Sequence, residues 1–469
     1  MIFYFVQKEE TLYAIARRYQ TTVHALVTAN RLKDPNAVSA GQALVIPRPG
    51  EHPSPPPGGV VHLVRPGETI FSLADRHSVS PMVILRANQI AHPEFLLPGQ
   101  QVVIPECNEA GQDWPMLGRT SERQGAGPVV LRGLPFAQWE FIPDDSGKVQ
   151  PSAPVIRYGR VFAGLGDGHY YCLDRQDGRI KWRHRAGDME CFAQTDDKAL
   201  AAPMILDGLA YLCEADGCID AVDAYTGRNI WRLSLKSPLT ATPTVCQDLL
   251  LCGAWDGQVY AVEIKTGAIA WKRKLSSGVK RPLAVCDGRL IVLTEEGALR
   301  AMDSVTGDIC WTASAELRAP VCTPDCVLVG GSAYDSSTGQ TLWVIDTPHV
   351  PVIRLGQAIY PEAVVSLASG EVQRRFDETR EPHTEGASEG YITEAEPHQM
   401  VSTASGSWLL TVRDDHLYAW DLVDGTLLWD EALPATGHQP PAVASGQIAV
   451  TLTDGGIRSY RLDDANSPL

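Results

Sequence analysis

The sequence contains no long apolar run and no cluster of basic residues. No stretch of the 469 residues reaches the roughly 18 consecutive apolar residues that a membrane-spanning helix needs. The formal net charge is −16 at pH 7, and an acidic surface repels phosphate groups, so we expect neither nucleic acid nor an anionic membrane as a partner. The N-terminus also lacks the basic region, apolar stretch and cleavage site of an export signal.

The 11 cysteines show none of the spacings that bind zinc or haem. No CxxC pair and no adjacent Cys–Cys dipeptide is present, and most of the cysteines lie in apolar, strand-like runs. Such cysteines usually behave as small buried hydrophobic side chains. Cys213 and Cys218 flank a predicted hairpin, and the length of its turn decides whether they approach each other.

The first hundred residues contain a duplicated module. A shift of 58 residues superimposes Val6 on Val64 and Asn30 on Asn88 without a gap. Each copy shows the pattern strand, helix, helix, strand, with apolar residues spaced along one helical face. We therefore predict two small α+β domains of βααβ order, at residues 1–48 and 61–105. Residues 49–60 between them are Pro-rich and predict a semi-rigid linker.

The second copy resembles the lysin motif (LysM) family. Its matching residues are Val64-x-x-Gly67-Glu68-Thr69-Ile70-x-x-Leu73-Ala74, then Asn88-x-Ile90, then Pro98-Gly99-Gln100-x-Val102-x-Ile104-Pro105. The first copy departs at Glu9, which stands where the second has Gly67. If this position needs a positive φ, a Glu there costs about 1 kcal/mol or more. We therefore expect the first copy to bind less well.

The LysM resemblance implies a shallow groove for N-acetylglucosamine polymers such as peptidoglycan or chitin. Its walls are the loop after the first strand and the loop before the last. The positions that the resemblance assigns to glycan binding are Glu10, Thr11, Leu12, Asn30, Leu32, Gly67, Glu68, Thr69, Ile70, Asn88 and Ile90. The threonines and asparagines can also cap helices and hold loops, and the two roles are compatible.

A second repeat begins at about residue 155, in which an acidic residue is followed by Gly and then by Trp at fixed spacing. Six copies are present, namely Asp174–Gly178–Trp182, Asp223–Gly227–Trp231, Glu263–Gly267–Trp271, Asp303–Gly307–Trp311, Asp335–Gly339–Trp343 and Asp421–Gly425–Trp429. A ligand site is usually formed once, by unlike residues, so a feature that recurs this regularly is predicted to be structural. A degraded copy has Arg374 in place of Trp, and we expect Arg374 to contribute little.

Three to four short strands per repeat are typical of the blades of a β-propeller. The C-terminal stretch 447–462 supplies inner strands without an outer one, while an orphan strand with Trp139 lies upstream at residues 134–141. Pairing the two would complete an eighth blade and remove the exposed edges. We predict a mainly β fold with an eight-bladed propeller at residues 128–469, after a lead-in at 106–127. A seven-bladed ring with an accessory strand is the alternative.

The Trp repeat resembles that of the quinoprotein-like propellers, named after pyrroloquinoline quinone (PQQ). Dehydrogenases of that family commonly carry an adjacent Cys–Cys disulfide over the quinone, and this sequence has no such dipeptide. The remaining candidates for chemistry are scattered histidines without a nearby nucleophile or metal spacing, namely His184, His349, His383 and His398. We therefore predict no catalytic residue, no cofactor and no metal, and we do not expect an enzyme.

These patterns predict a bacterial, non-catalytic binding protein. The LysM pair would anchor it to an N-acetylglucosamine-containing glycan of the cell wall, and the propeller would be a scaffold for a protein partner that the sequence does not identify. The alternative is a structural component of a bacterial assembly, such as a spore coat or a phage-like injection machine, with the LysM modules as protein-docking units. A PQQ-dependent oxidoreductase is a third hypothesis, which these patterns favour least. The expected location is the cell envelope, a spore or the extracellular surface, although the missing export signal also allows a cytoplasmic or assembly-associated protein.

Overall fold

The computed structural model divides the chain into two compact units, Met1–Ala110 and Gly111–Leu469. This division falls within the predicted lead-in. None of the helices among the described residues is long and apolar enough to span a bilayer. The residues that the structure describes are 2–6, 11–18, 23, 26–27, 43–46, 60–65, 68–77, 84–85, 88, 90, 96, 99–104, 126–127, 134–146, 149–187, 200–347, 349–375, 401–405, 408–413, 415–423, 425–437, 439–444 and 446–462.

The first unit contains the two predicted modules, each with a two-stranded antiparallel sheet and a helix. The first has β1 (Ile2–Phe5), α1 (Leu12–Arg18) and β2 (Ala43–Ile46). The second has β3 (Val60–Leu63), α2 (Ile70–Arg76) and β4 (Gln101–Ile104). The predicted second helix is described only at residues 23, 26, 27, 84 and 85, all of them helical.

The apolar face of each helix forms the core of its module, as its periodicity predicts. Leu12 and Ile15 of α1 pack with Leu26 and Leu44 in one buried cluster. In the second module, Ile70 and Leu73 of α2 are likewise fully buried. The duplication in sequence is therefore a duplication of a small hydrophobic core.

The second unit is a ring of four-stranded antiparallel blades, preceded by β5 (Ala126–Gly127) and β6 (Pro135–Phe141). Blades 1 to 4 comprise β7 (Val155–Arg157), β8 (Arg160–Gly164), β9 (His169–Asp174), β10 (Ile180–Arg185); β11 (Met204–Leu206), β12 (Leu209–Cys213), β13 (Cys218–Asp223), β14 (Asn229–Ser234); β15 (Thr244–Cys246), β16 (Leu249–Gly253), β17 (Gln258–Glu263), β18 (Ile269–Lys274); and β19 (Ala284–Cys286), β20 (Arg289–Leu293), β21 (Ala298–Asp303), β22 (Ile309–Ser314). Blades 5 to 8 comprise β23 (Pro320–Cys322), β24 (Cys326–Val329), β25 (Ser332–Asp335), β26 (Thr341–Val344); β27 (Val352–Arg354), β28 (Gln357–Ile359), β29 (Ala363–Ser366), β30 (Val372–Arg375); β31 (Val401–Ser405), β32 (Trp408–Arg413), β33 (His416–Asp421), β34 (Leu427–Ala432); and β35 (Ala442–Ala444), β36 (Gln447–Thr451), β37 (Ile457–Leu462), with β6 as the outer strand of blade 8.

The eighth blade is completed by the upstream strand β6, as predicted. β6 pairs antiparallel with β37, and Trp139 lies opposite Ser459. This pairing confirms the eight-bladed ring over the seven-bladed alternative. The first strands of neighbouring blades contact one another, so they are the innermost strands of the ring. The short strand β5 pairs in parallel with one of them, β31.

Burial differs sharply between the middle and the outer strands of a blade. The second strand β16 and the third strand β17 are buried along most of their length, whereas the outer strand β18 alternates between exposed and half-buried residues. Middle strands are covered on both faces because neighbouring blades stack against them. This stacking places the sulfur of Cys213 in β12 only 3.9 Å from that of Cys252 in the next blade. Cys213 and Cys218, on either side of their hairpin turn, are both free thiols.

Candidate functional site

Five of the six repeated Trp residues, together with Trp139, fasten their blades to the next one, whereas Trp429 Nε1 has no hydrogen-bond partner among the described residues. The indole Nε1 donates a hydrogen bond to the backbone oxygen of the residue that follows the acidic position in the neighbouring blade. These bonds measure 2.8 to 3.1 Å, and they join Trp139 to Arg175, Trp182 to Ala224, Trp231 to Ile264, Trp271 to Ser304, Trp311 to Ser336 and Trp343 to Leu367.

The Gly and the acidic residue of the repeat shape the turn that receives the indole. Gly307 has a φ of 73°, and a Cβ built on it would lie 2.7 Å from Cε3 of Trp271. Asp303 Oδ1 accepts hydrogen bonds from the backbone N–H groups of Val305 and Thr306, at 2.9 and 2.8 Å, and closes the turn. This geometry gives the repeat a structural role, since the same contacts recur from blade to blade.

The degraded copy performs the same contact with a different side chain. Arg374 Nη1 donates to the backbone oxygen of Leu422 at 2.9 Å, which is the acceptor position that the indole uses elsewhere. The expectation that Arg374 contributes little did not include this contact, so we now predict that the side chain contributes to stability. A guanidinium can replace an indole here because both present an N–H group at the end of a flat, partly apolar side chain.

In the LysM modules, the described threonines of the predicted groove cap helices. Thr69 Oγ1 accepts a hydrogen bond from the N–H of Ser72 at 3.0 Å, and Ser72 Oγ accepts one from the N–H of Thr69 at 2.9 Å. In the first module, Thr11 Oγ1 accepts from the N–H of Ala14 at 3.2 Å. Both threonines are exposed at the start of a helix, so their outer surface is open to a ligand.

Glu68 is held by polar groups of its own module. His62 Nε2 lies 2.7 Å from Glu68 Oε2, Arg76 Nη1 lies 2.5 Å from Oε1, and the N–H of Arg65 donates to Oε2 at 2.8 Å. Burial raises the pKa of Glu68, but these hydrogen bonds outweigh it and lower that pKa to about 2. The carboxylate therefore joins β3, the following loop and α2.

Asn88 holds the opposite loop in the same way. Its amide nitrogen donates to the backbone oxygens of Ile84 and Val103, at 2.7 and 2.6 Å, and its Oδ1 accepts from the N–H of Val103 at 2.6 Å. Of the other predicted glycan positions, Leu12, Ile70 and Ile90 are buried. The remaining ones lie outside the described residues, namely Glu10, Asn30, Leu32 and Gly67.

One blade interface in the propeller carries a charged cluster that was not predicted. His184 at the end of β10 in blade 1 faces Glu214 and Asp220 of blade 2, with Nε2 3.0 Å from Glu214 Oε1 and 2.7 Å from Asp220 Oδ2. Both carboxylates have side chains that are 0% exposed. Arg232 of β14 approaches from the solvent side, 2.8 Å from Asp220 Oδ2, 3.1 Å from Glu214 Oε2 and 3.2 Å from Asp216 Oδ2.

The two buried carboxyl groups of this cluster have pKa values that are shifted in opposite directions. Burial raises the pKa of Glu214 to about 7, against the lowering effect of His184. Burial also raises the pKa of Asp220, but the hydrogen bond with His184 and the charge of Arg232 outweigh this effect and lower the pKa below its usual value. Hydrogen bonds to Asp220 and Glu214 raise the pKa of His184 to about 9. Perturbed groups of this kind often mark functional sites.

Comparison of the repeats shows how unusual this interface is. The position of His184, two residues after the Trp, is occupied by Phe141 in blade 8 and by Leu233 in blade 2. Phe141 packs on Tyr171, at 5.1 Å between ring centroids, and Leu233 lies in one core cluster with Tyr260. Tyr171 and Tyr260 occupy the position of Asp220. An apolar contact has thus been replaced by an ionic one, and aligning the repeats against one another would have revealed it.

Two family models match the chain. The model of the PQQ-like family described as outer membrane protein assembly factor BamB matches residues 215–348 and 328–467, which is more than half of the sequence. The chain belongs to that propeller family. The LysM domain model matches residues 4–47 and 62–105, so the chain also contains two LysM domains.

Characterised relatives divide between the two parts. A quinohemoprotein alcohol dehydrogenase ADH-IIG from Pseudomonas putida is 26% identical over 169 residues, which cover 32% of this chain and 23% of that protein. A chitin elicitor-binding protein from Oryza sativa is 32% identical over 118 residues, covering 24% of this chain and 33% of that protein. The chain thus spans about a third or less of the length of either relative.

Solved structures match the propeller part of the fold. BamB from Moraxella catarrhalis has a TM-score of 0.53 at 16% identity, covering 71% of this chain and all of that one. A europium-containing methanol dehydrogenase has a TM-score of 0.59 at 12% identity, covering 75% and 98%. At these identities the likeness shows the fold alone, since an assembly factor and an enzyme share it.

Proposed function

We propose that this chain is a non-catalytic binding protein whose LysM pair binds an N-acetylglucosamine-containing glycan, such as peptidoglycan or chitin. The propeller then serves as a platform for a protein partner, and the glycan places the chain at a cell envelope or extracellular surface. Support comes from the two LysM matches and from relatives that match the LysM part. These include the chitin elicitor-binding protein and an N-acetylmuramoyl-L-alanine amidase XlyA from Bacillus subtilis, which is 36% identical over 77 residues.

The observation that carries this proposal is the way in which the second module fixes both walls of the predicted groove. Glu68 ties the first loop to β3 and α2, and Asn88 ties the second loop to β4. A ligand that enters a rigid groove does not have to order these loops, so less of its binding energy is lost. Because these side chains are engaged internally, main-chain groups and the exposed Thr69 are the groups left to contact the sugar.

A second module adds affinity without a new kind of contact. When one module is bound, the linker holds the other near the same polymer at a high effective concentration. Two weak sites can therefore bind a repeating glycan firmly, and they release a short oligosaccharide easily. This behaviour suits an anchor on a polymer.

Apolar turn tips on one end of the propeller support the platform role. The turns between the first and second strands and those between the third and fourth strands lie at the same end of every antiparallel blade. Leu355 in the first kind of turn is 89% exposed, and Val423 and Val305 in the second kind are 69% and 54% exposed. Exposed apolar groups at turn tips gain nothing from the fold of the chain itself, whereas a protein partner would bury them.

Calorimetry on the full chain with a chito-oligosaccharide tests the glycan site, with a matched pair of substitutions. Gly67→Glu gives the second module the residue of the first, and Glu9→Gly does the reverse. If the glycan-bound loop needs a positive φ at this position that the free loop can avoid, the strain of about 1–2 kcal/mol should weaken binding about five- to thirtyfold in Gly67→Glu. Glu9→Gly should tighten binding by a similar factor. The proposal would be contradicted if the parent chain and both variants were folded and none of them gave a heat of binding.

A dehydrogenase is the second candidate, because a quinohemoprotein alcohol dehydrogenase is among the relatives of this chain and has a similar fold. Incubation of the purified chain with PQQ and calcium, followed by an alcohol and a redox dye, distinguishes the two. The binding-protein proposal expects no alcohol-dependent dye reduction above that of the same chain unfolded by heat. PQQ-dependent turnover would overturn the non-catalytic part of the proposal and leave the glycan site unaffected.

A further inference from the structure

The cluster between blades 1 and 2 contains a mixed set of donor atoms that converge on one point. His184, Glu214 and Asp220 each offer one atom, and these atoms lie within 4.8 Å of one another. Glu214 also forms such a group with Asp216 and Cys218. An imidazole nitrogen combined with two carboxylates is typical of sites for zinc, manganese or iron. We propose that His184, Glu214 and Asp220 bind a divalent transition-metal ion, with zinc as the best match.

Asp220 supplies an independent indication of a missing ligand. Its side chain is 0% exposed, and its Oδ1 atom has no hydrogen-bond partner among the residues that the structure describes. A buried carboxylate oxygen without a donor is strongly unfavourable, and native structures rarely contain one. Its other oxygen, Oδ2, already faces His184 and Arg232. A cation bound by Oδ1 would satisfy the atom that the protein leaves unsatisfied.

Arg232 contacts one oxygen of each carboxylate, Oε2 of Glu214 and Oδ2 of Asp220. It leaves Oδ1 of Asp220, which has no partner in the described part of the chain, and Oε1 of Glu214, whose hydrogen bond with His184 Nε2 an ion at this point would replace. Residues that hold the other atom of a ligand orient it and tune the metal. We therefore assign Arg232 to positioning the two carboxylates.

The charges of the cluster leave room for a divalent cation. Glu214, Asp216 and Asp220 carry three negative charges when ionised, and Arg232 carries one positive charge. A histidine that binds a metal is neutral, so the set has a net charge of about −2 that a divalent ion would balance. The His184 side chain is 18% exposed, which gives the ion a route from solvent.

The donor set and its location also define selectivity and stoichiometry. Calcium and magnesium prefer sites made of oxygen atoms alone, so a nitrogen ligand disfavours both. The equivalent positions at the two neighbouring interfaces hold Phe141 with Tyr171 and Leu233 with Tyr260, which offer no such donor set. We expect one ion per chain at this interface.

Calorimetric titration of the EDTA-treated full chain with Zn²⁺ tests the site, and Co²⁺ absorption reports on the ligands. The expected result is saturable binding that His184→Leu and Asp220→Asn each weaken at least about tenfold, with loss of the Co²⁺ spectrum of the site. Leucine is the natural residue at the equivalent position Leu233, so His184→Leu should fold, and its melting temperature without metal checks this.

His349→Leu is the matched control. His349 Nδ1 lies 3.0 Å from Glu362 Oε2, but no third His, Cys, Asp or Glu joins this pair in a metal-binding group among the described residues. This variant should keep the zinc affinity and the Co²⁺ spectrum of the unmodified chain. Absence of saturable zinc binding would overturn the proposal and leave a purely ionic network. Binding and spectrum retained in both His184→Leu and Asp220→Asn would overturn it as well, because the ion would then lie elsewhere.

Discussion

Replacing Gly307 by alanine places a methyl group against the indole of Trp271 in the preceding blade. The Cβ of such an alanine would lie 2.7 Å from Cε3 of the ring, at a backbone φ of 73°. Gly288 in the same blade has nearly the same φ, 72°, but nothing lies within 4 Å of its Cβ position. The pair of variants therefore separates the steric contact from the backbone strain.

The two substitutions should differ by the cost of the clash. A side chain in the left-handed region costs about 1–2 kcal/mol, and this cost applies to Gly288→Ala and to Gly307→Ala alike. Overpacking against the docked, half-buried ring adds about 1–3 kcal/mol, so Gly307→Ala should destabilise the propeller by roughly 2–5 kcal/mol in total. Trp271→Ala should cost about 3–5 kcal/mol on its own, because it removes the docked indole.

The double variant should lose less stability than the two single variants together. Once Trp271 is alanine, the methyl group at position 307 meets no ring, so the clash of about 1–3 kcal/mol disappears from the sum. Tryptophan fluorescence during urea unfolding is a suitable assay, since residues 1–105 contain none of the 11 tryptophans and the signal therefore comes from the second unit. Equal losses in Gly307→Ala and Gly288→Ala, or strict additivity in the double variant, would refute the docking role.

Two further perturbations follow from the contacts. Arg374→Ala should destabilise the propeller by about 0.5–1.5 kcal/mol because it removes the hydrogen bond to the backbone of Leu422, and the same fluorescence assay would reveal an unchanged midpoint if the bond were unimportant. Because the folded-state pKa of Glu68 is lowered to about 2 from 4.5, its ionised form stabilises the second LysM module above pH 4.5, and this contribution is lost as the pH falls towards 2. The hydrogen-exchange protection factors of α2, corrected for intrinsic rates, should therefore fall more on acidification in the parent than in Glu68→Gln, and an equal pH response in both would argue against these contacts.

The architecture could be predicted because its information is repeated. Six copies of one spacing located the blades, and Trp139 identified the strand that closes the ring, since the same side chain performs the same docking contact there. The LysM modules were likewise visible as a duplication. Where a copy is degraded, the sequence pattern does not show the contact: Arg374 does not match the repeat, yet it reaches the same acceptor. Its contact depends on the shape and donor of the side chain, which the residue letter does not reveal.

The charged cluster could not be predicted from spacing along the chain because its members lie on two blades. His184 is separated by 30 residues from Glu214 and by 36 from Asp220, and no motif spacing connects them. Only the stacking of blade 1 on blade 2 brings them together. Likewise, the resemblance assigned Glu68 and Asn88 to a glycan groove, and only the folded structure shows that their polar atoms are engaged within the module.

The closure of the ring by β6 also sets the order in which the protein can be made. Blade 8 is closed by the pairing of β6 with β37. Strand β6 ends at Phe141 and strand β37 begins at Ile457, so more than 300 residues separate them. At a translation rate of about 5–20 residues per second, a ribosome needs roughly 15–60 s to cover that distance. During this interval Trp139 has no blade to complete, and the edge of β6 is open to other nascent chains. Slower synthesis of the middle blades should therefore increase the dependence of this propeller on chaperones. The LysM modules have already emerged from the ribosome by then and can fold during synthesis.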